Sequence, residues 1–266
     1  MSPVPEGLHV VEHHAGTGSA TDAGGGPARA VTVVLVHGSL DRGASFARVV
    51  RRLGDLHVVT YDRRGYNHSR AMTVARSLEQ HVDDLVAVAG AGPAVVIGHS
   101  YGGDVALGAA IASPETIRAV GAYEPPLPWM EWWPRRSASA ITNEDPAEFA
   151  EGFFRRVVGE GGWDRLTPAT RQARQADGPA LVAELADLRR AGPAIDIDRL
   201  RVPLVLGRGG QSIWHHRRAV DALAELVPDA EVVEIPGAAH GAHLSHPDAF
   251  ADFVRLAVGR AQPRGA

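Results

Sequence analysis

The sequence predicts an α/β protein: a doubly wound, mostly parallel sheet interrupted once by an inserted helical cap. Three observations carry this. Short apolar runs alternate with amphipathic segments along most of the chain. The run at 30–36 (AVTVVLV) is β-branched and continuous, as a strand buried on both faces should be. The alternation breaks once, after Glu124, into a stretch rich in proline and tryptophan followed by helix-like segments.

Residues 8–13 read as an edge strand, and the glycine-rich stretch 16–28 (GTGSATDAGGGPA), which has no helical period, as a hairpin loop. The core then runs through strand 30–36, helix 45–53, strand 56–61, helix 77–89, strand 94–97, helix 101–112 and strand 117–123, the alternation of βαβ crossovers. Past Glu124, Pro125, Pro126 and Pro128 interrupt regular structure; Trp129, Met130, Trp132 and Trp133 follow, and helices are expected near 146–158, 168–176 and 179–190. The core resumes with strand 203–206, helix 214–226, strand 231–235 and a closing helix at 247–258. The expected division is a core of residues 1–126 and 198–266 with a cap at 127–197. No internal repeat is visible.

Composition narrows the function classes. Of the 266 residues, 45% are hydrophobic and 22% charged, enough apolar surface to bury a sizeable core. A net charge of −4 offers no basic field for nucleic acid or an anionic membrane, so a small-molecule substrate is the expected partner; the oligomeric state is not indicated. The absence of cysteine removes thiolate nucleophiles and thiolate metal sites, and all 27 basic residues are arginine, which removes lysine Schiff-base chemistry and a lysine-bearing phosphate loop. Pro3, Pro5, Glu6 and His9 stand where a signal peptide would carry a basic and then an apolar stretch, and no apolar run approaches the length of a membrane span. A cytoplasmic protein is expected.

One segment carries chemistry. Val95-Val96-Ile97 leads into Gly98-His99-Ser100-Tyr101-Gly102-Gly103 and then into a small, apolar, helix-forming run, so a GxSxG pattern sits where a strand turns sharply into a helix. In that setting Ser100 is a candidate nucleophile, and the glycines two positions to either side let strand and helix pass closely. His99 is expected to pack rather than act as base. His37-Gly38-Ser39 follows the first buried strand and so reaches the same sheet edge; the backbone N–H groups of Ser39 and Tyr101 are the expected oxyanion donors, with Gly38 admitting the substrate. His240 returns to that edge after strand 231–235 and is the candidate base, while His243 and His246 read as packing and capping residues.

Across nearly its full length the chain resembles the α/β-hydrolase superfamily: VLVHG at 34–38, DRRGYNHS at 62–69, GHSYGG at 98–103 and GAAH at 237–240 occur in the family's order. Asn67 stands where the family usually has glycine. The resemblance implies a serine hydrolase needing no metal and no cofactor. It also exposes a departure: the loop 207–216, where most members carry the acid, has no carboxylate, and Asp221 beyond it lies well inside a helix. Helix 101–112 descends about 18 Å and strand 117–123 climbs back about 20 Å, which returns Glu124 to the level of Ser100. A minority of the superfamily, including lactonases of the zearalenone type, is similar in placing its acid there. The competing reading makes Glu124 a hinge residue paired with an arginine.

Trp129, Met130, Trp132, Trp133 and Phe154 are candidate substrate-binding residues, and they favour an apolar or aromatic ester, lactone or related carbonyl compound. Perhydrolysis of the haloperoxidase type, C–C hydrolysis, a lyase reaction or acyl transfer would use the same site, and a non-catalytic ligand-binding protein of this fold is the alternative from another class. Dehalogenase and epoxide-hydrolase chemistry need a carboxylate where Ser100 stands.

Overall fold

A computed structural model of the chain describes residues 3–14, 31–134, 141–142, 144–190 and 192–261. Among them seven strands form one sheet: β1 (Val10–His13), β2 (Thr32–Val36), β3 (His57–Tyr61), β4 (Ala94–His99), β5 (Ile117–Tyr123), β6 (Leu204–Gly209) and β7 (Glu231–Ile235). Their order across the sheet is β1-β3-β2-β4-β5-β6-β7, and every pairing is parallel except that of β1 with β3. The doubly wound sheet read from the sequence is thus present. The expected hairpin is not. β1 pairs with β3, Val10 opposite Tyr61, because β3 and β4 already occupy both edges of β2. The loop proposed for that hairpin, 16–28, lies outside the described residues.

Alternation within the strands explains why the central sheet is apolar on both sides. Val34, Val36 and Val96 point into one core with α2 (Leu78–Ala89), α3 (Tyr101–Ala112) and the later helix α8 (Trp214–Leu226). Val33, Leu35, Val95 and Ile97 point into the other, with α1 (Ala47–Val50), the short α9 (Ala242–Ser245) and α10 (Pro247–Ala261). α1 is shorter than the helix expected over 45–53: a 3-10 turn at Gly43–Phe46 precedes it, and after it Arg52 and Leu53 bond three residues back, to Val49 and Val50.

Between β5 and β6 lie α4 (Pro146–Val158), α5 (Glu160–Asp164), α6 (Pro168–Ala176) and α7 (Gly178–Asp187). α5 went unread in the sequence; its five residues include two glycines and no helical period. Asp145 caps α4 by accepting from the N–H groups of Ala147 and Glu148, and Thr167 caps α6. Phe149, Ala150 and Leu181 from these helices close over Leu40 in the loop after β2. No helix among the described residues is long and apolar enough to cross a membrane.

Chain order reverses between β2 and β4: from β2 the chain moves outward to β3, then returns to place β4 on the opposite edge of β2. The loops leaving adjacent β2 and β4 diverge there, the place where open α/β sheets form a binding crevice.

The turn after β3 explains the unusual Asn67. Its φ is +45°, a left-handed conformation that glycine and asparagine tolerate best, and its side-chain amide donates to Asp62 Oδ2 at 2.8 Å. Nearby, Arg64 grips Asp84 of α2 with two hydrogen bonds of 2.6 and 2.5 Å, tying the turn to that helix. Asn67→Gly is expected to leave stability within about 1 kcal/mol, the lost hydrogen bond offsetting the relieved backbone, whereas Asn67→Val should cost about 1–3 kcal/mol. Urea unfolding of the two variants checks this; equal stability would remove the conformational explanation.

Candidate active site

β4 ends at His99, and the chain turns at Ser100 (φ +54°, ψ −129°) directly into α3. A β-carbon on Gly98 would lie 2.0 Å from the Gly102 carbonyl oxygen, and one on Gly102 would lie 2.3 Å from that of Val36. Strand, turn and helix therefore pass so closely that only glycine fits at either position. The Gly103 N–H donates to the Ser100 carbonyl at 2.7 Å, and the start of the helix sits beneath the serine.

Ser100 and Glu124 leave neighbouring strand ends. His99 pairs with Tyr123 in the sheet register, and the Ser100 N–H donates to the Tyr123 carbonyl at 2.8 Å. Glu124 follows with φ +47°, its own N–H bonded to Gly207 O at 2.9 Å. Its carboxylate is fully buried. Oε1 accepts the Gly209 N–H at 2.7 Å, and Oε2 lies 2.7 Å from His240 Nδ1. Because a carboxylate only accepts, the neutral His240 imidazole carries its proton on Nδ1 and leaves the lone pair on Nε2. No arginine pairs with Glu124 among the described residues; its side-chain partners are histidines. Asp221 instead bonds Arg208 Nη1 at 2.5 Å.

The His240 loop is pinned by the residues that precede Ser100 and Glu124. His99 Nε2 donates to the His240 carbonyl at 2.8 Å, and the Tyr123 hydroxyl donates to the Ala239 carbonyl at 3.1 Å. The packing role expected for His99 is thus specific: it holds the backbone of the other histidine. Between the Ser100 hydroxyl and His240 Nε2 no hydrogen bond is made among the described residues; such contacts commonly tighten only with substrate bound.

On the other side of Ser100 stands the loop after β2. A β-carbon on Gly38 would lie 2.9 Å from that of Ser100, so this backbone touches the serine. Leu40 in the same loop has φ +55°. Tyr101, the other expected oxyanion donor, has its ring fully in the core.

One residue that the sequence reading missed is His216, on the first turn of α8. Its Nδ1 lies 3.4 Å from Glu124 Oε2 and its ring centroid 4.1 Å from that of His240, so two imidazoles face one carboxylate oxygen. The signal for it lies in the Trp214-His215-His216 sequence that closes the carboxylate-free stretch 207–216.

The five aromatic and apolar candidates separate. Trp133 stacks on His216 at 5.8 Å and meets His215 at 4.7 Å, while Trp132 lies 6.0 Å from Trp133 and 6.2 Å from Trp214. Trp129 and Met130 line a different cavity of about 390 Å³ with Leu107, Leu127 and Leu223, whose lining includes none of Ser100, Glu124 and His240. Phe154 packs on Trp163 at 5.4 Å beside the Leu40 cluster.

Electrostatics follow burial. Burial drives the His240 imidazole down to about 4 from 6.5, aided by His216 and opposed by Glu124. For Glu124 burial pulls upward, but the neighbouring His216 imidazole and hydrogen bonds from His240 and Gly209 overcome it and hold the carboxyl well below its usual range. Glu124, His216 and His240 also place one donor atom each within 4.8 Å of one another, as do Asp41, His99 and His243, so either set is close enough to hold a metal ion. Both oxygens of Glu124 already have hydrogen-bond partners at 2.7 Å, which accounts for its burial without one.

A family model described as the alpha/beta hydrolase family matches residues 33–253. The chain belongs to this family. It is similar to a pimeloyl-[acyl-carrier protein] methyl ester esterase of Chromobacterium violaceum, 30% identical over 239 residues that span 84% of this chain and 91% of that one. Among solved structures of the α/β-hydrolase fold, the enol-lactonase of Burkholderia xenovorans LB400 superposes with a TM-score of 0.73 at 20% identity, over 95% of this chain and 96% of its own. A thermophilic esterase of Thermogutta terrifontis gives 0.72 at 20% identity, over 96% and 94%. At these identities the structural likenesses speak to the fold alone.

The His240 ring should titrate with a midpoint at about 4, remaining neutral at higher pH, as followed by its NMR signals. Glu124→Gln should move that midpoint lower still, since the carboxylate is the group that favours the charged ring. A midpoint above 6.5 would mean that the carboxylate outweighs burial.

Proposed function

We propose that the protein is a cofactor-free serine hydrolase that cleaves an ester or lactone of an apolar or aromatic small molecule through an acyl-enzyme. The observation that carries this reading is the 2.7 Å contact between buried Glu124 and His240 Nδ1, at the sheet edge where Ser100 occupies a strained turn. Ser100 Oγ attacks the substrate carbonyl while His240 Nε2 takes its proton. Glu124 holds the ring in the required tautomer and stabilises the imidazolium without accepting the proton. The backbone N–H groups of Ser39 and Tyr101 receive the oxyanion, collapse expels the alkoxide with the proton from His240, and a water deprotonated by His240 releases the acid.

The substrate class rests on chemistry and likeness together. The aromatic wall that runs from Trp132 through Trp133 and His216 to His240, with Phe154 near the Leu40 loop, favours an apolar or aromatic group beside the scissile bond. Trp129, Met130 and their separate cavity would take a more distant part of a long substrate. The esterase relative and the enol-lactonase of similar fold act on carbonyl bonds of the proposed kind.

A fluorophosphonate probe should form an adduct on Ser100 of the folded protein, read by mass spectrometry of the labelled peptide; an unlabelled Ser100 would sink the hydrolase reading. On an aryl ester panel, Glu124→Ala should lose about 10³–10⁴ in kcat. Asp221→Ala, whose carboxylate meets Arg208 and not His240, should stay within about threefold. The reverse ranking would move the acid to Asp221.

A further inference from the structure

Arg63 and Glu184 do work in this structure that neither the family motif nor the proposed triad accounts for. Both side chains are essentially without solvent contact, and they pair: Arg63 Nη1 donates to Glu184 Oε1. Arg63 belongs to the turn after β3, whereas Glu184 comes from α7, between β5 and β6. A buried ion pair of this kind gains little net stability, because desolvating both charges opposes their attraction. Its other bonds suggest what it does.

Every remaining donor of Arg63 with a backbone partner points at the loop beside Ser100. Nε donates to the His37 carbonyl at 2.9 Å and Nη2 to the Gly38 carbonyl at 3.1 Å. The Arg63 backbone N–H donates to His37 Nε2 at 2.8 Å, so that nitrogen holds the lone pair and Nδ1 holds the proton, which it gives to the Gly38 carbonyl at 2.8 Å. The Gly38 oxygen thus receives two donors. Glu184 completes the grip, its Oε2 accepting the Ser39 hydroxyl at 2.8 Å. The guanidinium also lies 4.8 Å from the ring centroid of Tyr101 and 4.9 Å from that of Tyr66.

The geometry of one peptide unit makes this consequential. The Gly38 carbonyl and the Ser39 N–H belong to the same planar trans peptide and point in opposite directions. Fixing the carbonyl toward Arg63 therefore fixes the N–H away from Arg63. We infer that Arg63 and Glu184 are a positioning pair that sets the orientation of the Ser39 N–H as an oxyanion donor, so that helix α7 must be docked for the donor to be aimed. This rests on the hydrolase reading above, and the pair acts through Ser39 and not on the substrate.

The test compares the rate of Ser100 phosphonylation by a fluorophosphonate, whose phosphoryl oxygen occupies the oxyanion position, in wild type, in Glu184→Gln and in the double variant Arg63→Met with Glu184→Leu. The double variant removes both buried charges at once, an exchange that buried ion pairs commonly tolerate without unfolding. Its melting temperature should stay near that of wild type while phosphonylation slows by about 10²-fold, the effect of losing one oxyanion donor. Probe affinity should change far less than the rate, a split that a merely structural contact would not produce. Glu184→Gln keeps an acceptor for the Ser39 hydroxyl and should slow the reaction less. A folded double variant that reacts at the wild-type rate would overturn the inference and leave the hydrolase reading standing. Wild type that fails to react would overturn both. Should the double variant not fold, Glu184→Gln decides: slowed labelling at an unchanged melting temperature supports the pair, and wild-type labelling refutes it.

Discussion

A carboxylate with no access to water sits at the carboxyl end of β5, and much of the site is arranged to make that tolerable. An unpaired ionised group there would cost several kcal/mol. Glu124 escapes the penalty by drawing on three separate segments: the Gly209 N–H at the end of β6, His240 in the loop after β7, and His216 on α8. The requirement runs in both directions. Glu124 needs these partners to remain charged, and the partners are held in place because it is charged. Satisfying one buried group thus gathers β5, β6, the β7 loop and α8 at the edge where β4 delivers Ser100.

Strain is concentrated at the same edge. The non-glycine residues with positive φ among those described are Leu40, Asn67, Ser100 and Glu124, and three of the four belong to the loops around the candidate nucleophile. Such conformations persist only where surrounding contacts over-determine them. Here those contacts are visible. The Ser100 N–H is bonded to Tyr123, the Glu124 N–H to Gly207, and the Leu40 carbonyl accepts a hydrogen bond from Arg174 of α6. Asn67 is the exception that concerns folding, and its side-chain bond to Asp62 explains how a residue other than glycine fits there.

Much of this was legible in the chain, for reasons of range. Strands such as β4 and β5 announce themselves through continuous apolar runs, and Gly98, Ser100 and Gly102 constrain one another over five residues. Glu124 could be placed because helix and strand lengths translate into distance. What escaped notice depended on contacts distant in sequence. β1 looked like half of a hairpin because adjacency along the chain is the only cue to pairing, yet its partner is β3, since β2 had no free edge. His216 reaches Glu124 from 92 positions away, and Glu184 reaches Ser39 from 145. Trp129 and Met130 were grouped with Trp132 and Trp133 by proximity in sequence, but without a strand or helix to fix their direction they face a separate cavity.

The helices between β5 and β6 bear on the site in an uneven way. Toward the Glu124 side the segment contributes Trp133, an aromatic surface against His215 and His216, which shapes space without fixing a backbone. Toward the loop after β2 it contributes directional contacts to particular groups: Glu184 accepts a hydrogen bond from the Ser39 hydroxyl, Arg174 donates one to the Leu40 carbonyl, and Arg174 also forms an ion pair with Asp41 at 3.9 Å. Apolar packing tolerates small displacements, whereas a hydrogen bond weakens steeply with angle. The two halves of the site therefore differ in how they would respond if these helices moved. Glu124 and His240, tied together by elements of the sheet and α8, would keep their geometry; the loop beside Ser100 would lose the bonds that orient it. A movement of α6 and α7 would disturb the loop beside Ser100 while leaving the contact between Glu124 and His240 intact.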